Sequence, residues 1–80
     1  MPGLSDRARN PRILRLNPAD NVIVSIDPIL PGATAEGVTA ISRVPKGHKM
    51  ATRAIAEGEP VLKFGQIIGF AKVPIRPGEH

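Results

Sequence analysis

The chain contains no cysteine, tryptophan or tyrosine, and Phe64 and Phe70 are its only aromatics apart from two histidines. Without cysteine, neither a disulfide nor a thiolate zinc site can staple a small fold. Two phenylalanines do not make the row of stacking platforms that single-strand nucleic-acid binders combine with a basic groove. Long apolar runs are missing as well. Nothing approaches a stretch of ~18 apolar residues, so no segment reads as a membrane-crossing helix. Room for long helices is scarce too, because nine prolines and eight glycines punctuate the whole sequence.

Positive charge is present, but not on a folded face. Arg7, Arg9, Arg12 and Arg15 stand against Asp6 alone in the first fifteen residues, whereas residues 16–80 hold seven Lys/Arg and six Asp/Glu. The basicity belongs to the leading segment, which predicts neither a nucleic-acid nor a membrane partner. Those arginines precede no apolar stretch of the secretory type. Together with the missing cysteines, this gives a cytoplasmic setting as the expectation.

Eighty residues make one small domain that buries only ~60% of the surface its unfolded chain exposes. Residues 1–12 read as a disordered basic leader and residues 13–80 as the domain. Val22 to Ile26 is the clearest strand, being mostly β-branched. Ile13 to Leu16, Val38 to Ile41, Val61 to Phe64 and Ile67 to Val73 are further short strands, with Thr34 to Gly37 as a loop. Met50 to Ile55 fits either one helical turn or a strand followed by a tight turn. The fold class is therefore all-β, with at most one short helical turn. Val22, Val24, Ile26, Ile41, Val61, Phe64, Ile68 and Phe70 are the expected core. A loose repeat, apolar residue, two spacers, glycine, polar residue, occurs at Val44–His48, Ile55–Glu59 and Ile75–Glu79, where each glycine suits a turn.

Chemistry must pass through few side chains. His48 follows Gly47 in a turn sequence flanked by Lys46 and Lys49. Neighbouring ammonium groups favour a neutral imidazole, suited to a general base or a metal ligand, and they attract a carboxylate. A loop histidine bonded to a nearby carbonyl would look the same. His80 beside Glu79 is a second candidate metal ligand with His48, although no helical spacing links the two. Gly65-Gln66-Ile67-Ile68-Gly69 lacks the ending of a phosphate loop.

Gly47-His48-Lys49-Met50-Ala51, then Ile55-x-x-Gly58-Glu59-x-Val61, then Lys63-Phe64-Gly65-x-x-Ile68-Gly69 resembles the small N-terminal SAF domain of the altronate/galactarate dehydratases. A domain of the same type forms the small subunit of sulfolactate sulfo-lyase. The resemblance runs from Ile13 to His80. It implies a β-clip fold and a place in a hydro-lyase that removes water from a sugar acid. It further implies a much larger catalytic domain or subunit and a divalent metal such as iron in the complete enzyme, with none held tightly by this chain alone. Within that frame His48 is the expected catalytic residue, Lys46 and Lys49 would bind the substrate carboxylate, and His48 with His80 could ligate metal. The alternative is a β-clip module without catalysis, serving carbohydrate binding or protein assembly.

Overall fold

The computed structural model describes residues 10–80, which contain seven short strands and no helix. Strands β1 (Ile13–Leu14), β2 (Val22–Ser25) and β5 (Lys49–Ala51) form an antiparallel sheet in the order β1-β2-β5. Strands β3 (Thr34–Ala35) and β4 (Val38–Thr39) pair as one hairpin, and β6 (Pro60–Lys63) and β7 (Gln66–Phe70) as a longer one. The segment Thr34–Gly37, expected as a loop, is thus half of a hairpin. Its turn residues Glu36 and Gly37 have φ of 53° and 72°, the left-handed pair that matches the twist of adjoining strands. Met50–Ile55 resolves as strand and turn: β5 ends at Ala51, and Ile55 makes an isolated bridge to Ile75.

A turn used four times organises everything between the hairpins. Its copies begin at Ile29, Val44, Ile55 and Ile75, and each ends three residues later in glycine. The leading apolar residues bridge in pairs, Ile29 with Val44 and Ile55 with Ile75. Each glycine N–H then donates to the carbonyl of a residue four positions before its partner copy. The pairs are Gly32 to Ala40, Gly47 to Ser25, Gly58 to Ala71 and Gly78 to Ala51. Residues 25–48 and 51–79 consequently trace one path twice, with one hairpin in each half. Three of the copies are legible in the sequence; Ile29–Gly32 is the fourth.

Each half has its own core. Ile23, Ile29, Ala35, Ala40, Val44 and Met50 fill the first, and Val22, Ala51, Ile55 and Ala71 the second. β2 and β5 run between them, so neighbours such as Val22 and Ile23 are both buried, on opposite sides of the sheet. This corrects the expected core. Val22 belongs to it, but Ile26, Ile41, Ile68 and Phe70 are exposed, and Val24, Val61 and Phe64 are only partly covered. Ile29, Val44 and Ile55, which lead three of the four turns, take their place, and Ile75, leading the fourth, is partly buried against the second core. Phe70, 64% exposed, should therefore tolerate alanine in the isolated chain, shifting stability by no more than ~0.5 kcal/mol. Urea unfolding of the Phe70→Ala protein checks this, and a shift of ~3 kcal/mol would restore the ring to the core.

Two buried polar residues at the start of β2 fix the second hairpin. Asn21 accepts the Leu62 N–H at 2.7 Å through its side-chain oxygen and donates its amide to the Pro60 carbonyl at 2.9 Å. Asp20 accepts the N–H groups of Phe64 and Gly65, both at 2.7 Å. Those two residues form the turn, with φ of 55° and 76°. A bulky residue at positive φ is strained, and the charge-assisted bonds to Asp20 offset that strain. Burial opposes ionisation of Asp20, yet the donors from Gly65, Phe64 and Asn17, with the Arg15 charge, hold its carboxyl below the ordinary 3.8. The stabilisation is therefore complete above that ordinary value and is lost as pH falls through the lower folded value. Melting of the wild type should drop on acidification from about pH 7 to about pH 3, and Asp20→Asn should be less stable at neutral pH with a smaller acid dependence. An unchanged acid dependence in that variant would remove Asp20 from this role.

At the leading edge, Arg12 grips Asp27 with both forks of its guanidinium at 2.8 Å and with its own N–H at 3.0 Å, and Pro11 is buried. Composition assigns both residues to the leader, yet they pack on the domain. Residues 1–9 of that expected leader lie outside the described residues.

Candidate functional site

β5 begins one residue after the Gly47 turn, which sets His48 at its entrance and Lys49 as its first residue. The last of the four turns lies against the other end of the same strand. Gly78 N–H donates to the Ala51 carbonyl at 2.8 Å, and Ala51 N–H to the Glu79 carbonyl at 3.0 Å. A strand of three residues spans only ~10 Å, within which side chains from the two turns can meet. They do: His48 Nδ1 lies 2.9 Å from His80 Nε2, with ring centroids 5.1 Å apart and planes inclined by 38°. One ring nitrogen must donate and the other accept. Among the described residues the remaining nitrogen of His48, Nε2, has no hydrogen-bond partner.

Both imidazoles are exposed and line, with Gly47 and Lys49, a shallow depression of about 360 Å³. Beside it lies an apolar recess of about 160 Å³, walled by Val22, Ala51, Val61 and Ile75 and sharing Lys49 and His80 with the depression. The structure thus unites three of the four residues singled out by sequence: His48, Lys49 and His80. Lys46 sits on the same turn but does not line the depression. His48 and His80, named together from the sequence as candidate metal ligands, do meet although thirty-two positions separate them; the direct hydrogen bond between the two rings is what sequence reasoning missed. The repeated glycine turn carried the signal, because His48 and Glu79 follow the glycines of equivalent copies.

A complete metal site is a different matter. Non-haem iron takes about two imidazoles and a carboxylate, leaving open positions. Here the nearest acid in sequence, Glu79, is engaged: its carboxylate accepts the Arg76 N–H at 3.0 Å and lies 3.9 Å from the Arg76 guanidinium. No group of three His, Cys, Asp or Glu residues stands ready for an ion among the described residues. The donor set does not fit a resident iron. What the arrangement offers is an accessible imidazole oriented by a second imidazole, beside a cation and an apolar wall.

A family model described as the altronate/galactarate dehydratase SAF domain matches residues 11–80. The chain belongs to this family. Altronate dehydratase of Escherichia coli (strain K12) is 34% identical to the SAF domain over 71 residues, which cover 84% of this chain and 14% of that protein. Altronate dehydratase of Bacillus subtilis (strain 168) is 30% identical over 71 residues, with the same shares of each. The (2R)-sulfolactate sulfo-lyase subunit alpha of Chromohalobacter salexigens is 49% identical over 37 residues, 46% of this chain and 39% of that one. The chain therefore spans only a small part of the curated relatives it matches. The all-β architecture agrees with the β-clip fold expected of a SAF domain.

Proposed function

We propose that this SAF domain serves a sugar-acid hydro-lyase of the altronate/galactarate type and supplies one proton-transfer group to a larger catalytic part. The observation that carries this reading is the His48–His80 contact in a depression lined by Lys49. Loss of water from a hydroxy acid needs two proton movements. A base takes the proton α to the carboxylate, the C–H electron pair becomes a C=C bond, and the β-hydroxyl leaves as water after receiving a proton.

With the proton on Nδ1, His48 donates to His80 and keeps a lone pair on Nε2 for one of these transfers. His80 then acts as a positioning residue, selecting the tautomer as a hydrogen-bonded partner does in other imidazole bases. Lys49, at the edge of the depression, and Lys46, on the adjoining turn, offer ammonium groups to the substrate carboxylate. Enclosure of the sugar acid, the second proton transfer and any metal belong to the larger part, since a shallow open depression cannot exclude water. A cytoplasmic setting goes with this reading.

The direct test follows water loss from altronate and from galactarate by the large catalytic polypeptide of the same organism, with and without this chain. Turnover should depend on the chain. Equal rates in both cases would leave a non-catalytic binding module as the reading.

A further inference from the structure

β7 and the residues just after it carry a surface that the described residues leave uncovered. Phe70 and Val73 are each 64% exposed, Ile67 57% and Ile68 45%, four large apolar side chains in seven consecutive positions. The outer edge of the strand is open as well. Among the described residues β7 pairs only with β6, and no other backbone group bonds to Gln66–Phe70. Soluble proteins ordinarily cover or charge such an edge. The equivalent hairpin of the first half does neither because it need not: its strands have two residues each, Ala35 is buried, and Thr34 meets Thr39 across the pair at 3.5 Å. The longer apolar arm is thus peculiar to the second half. That same hairpin borders the histidine site, since Val61 of β6 lines the recess shared by Lys49 and His80.

We propose that the exposed apolar side chains of Ile67, Ile68 and Phe70 on β7, with Val73 just beyond it, are the docking surface for the large catalytic part of the dehydratase, whose matching face is apolar and bordered by carboxylates. This rests on the hydro-lyase reading above. Charge selects the occupant. Lys63 and Lys72 flank the arm, and the carboxylates the fold brings to it are engaged: Asp20 accepts the Phe64 and Gly65 N–H groups, and Glu59 pairs with Arg53. A second copy pairing antiparallel along β7 would set the Lys63 end of one chain against the Lys72 end of the other, and like charges facing across an interface disfavour it. A partner with acidic borders meets both lysines favourably. Extent agrees: the matched altronate dehydratases contain this module as 14% of their length, so the rest of each is available to cover the arm. Docking here brings that partner beside His48 and His80.

The test titrates the chain with the separately expressed large dehydratase polypeptide of the same organism, using wild type, Phe70→Lys, Ile67→Lys and His48→Ala. Hydrogen exchange of the Gln66–Phe70 amides is read with and without the polypeptide, and sedimentation of the chain alone gives its oligomeric state. Binding should weaken about 30-fold or more in the two lysine variants at unchanged melting temperature, and stay near wild type in His48→Ala. The β7 amides should slow on complex formation, and the free chain should sediment as a monomer. Wild-type affinity in both lysine variants would overturn the surface while leaving the hydro-lyase reading intact if turnover still needs the chain. A free dimer dissolved by Phe70→Lys would show a second copy to be the occupant and overturn the proposal. No binding to the large polypeptide by any variant would overturn the proposal and the hydro-lyase reading together.

Discussion

Replacing Gly78 by alanine is expected to cost roughly 3–6 kcal/mol, while the same change at Gly58 should cost only ~1–2 kcal/mol. The two glycines share a φ of +82° and end equivalent copies of the same turn. Their surroundings differ. A Cβ at Gly58 meets no atom within 4 Å, whereas one at Gly78 would fall onto the carbonyl oxygen of Thr39 and lie 3.4 Å from the Ala40 Cα. These are backbone atoms, and they are pinned. Ala40 N–H donates to the Ala33 carbonyl and Ile41 N–H to the Gly78 carbonyl, both at 2.9 Å. Making room for a methyl group therefore means parting the two halves where they touch. An 80-residue domain holds only ~4–12 kcal/mol of stability, so Gly78→Ala should be partly or wholly unfolded where Gly58→Ala remains native. Urea unfolding of the two variants side by side checks this. Equal losses would show that backbone conformation, and not the contact between halves, is what Gly78 provides.

The architecture was largely legible because proline and glycine punctuate it. The strand beginning at Val22 and the repeated glycine turns correspond to structure, and the gap between the last two expected strands is there as well, although the turn falls at Phe64-Gly65 and β7 already starts at Gln66. The core was harder to read, for two physical reasons. β2 lies between two small cores, so alternation along it does not separate inside from outside, and Ile23 was passed over beside Val22. β7 has the pattern of a buried strand, but nothing among the described residues covers Ile68 and Phe70. The leading residues of the four turns, Ile29, Val44, Ile55 and Ile75, look like loop flanks until their pairing is known. Asp20 and Asn21 likewise have the composition of a turn, and only the fold shows them buried and bonded to the second hairpin. Of the site, His48 and its lysines could be found from the glycine turn. The sequence offers His80 beside it as a metal ligand, but the hydrogen bond between the two rings emerges only when the return of the chain along β5 brings them together.

The second large effect is catalytic. His48 is exposed, its side chain bonds among the described residues only to another exposed imidazole, and it belongs to neither core. His48→Ala should accordingly fold and melt like the wild type. His80→Ala, which leaves His48 in place but removes its hydrogen-bond partner, should have a smaller effect than His48→Ala and should alter the pH profile of turnover, as expected when tautomer and orientation are no longer set.

The measurement that bears most directly on the whole account is the rate of water loss from altronate by the assembled enzyme, comparing wild-type chain with His48→Ala at equal occupancy of the large polypeptide. A loss of ~10²–10⁴-fold in kcat with binding between the two parts unchanged is the expected result, the magnitude typical of removing a general acid or base. A His48→Ala enzyme that turns over at the wild-type rate, fully assembled, would contradict the assignment of proton transfer to this domain.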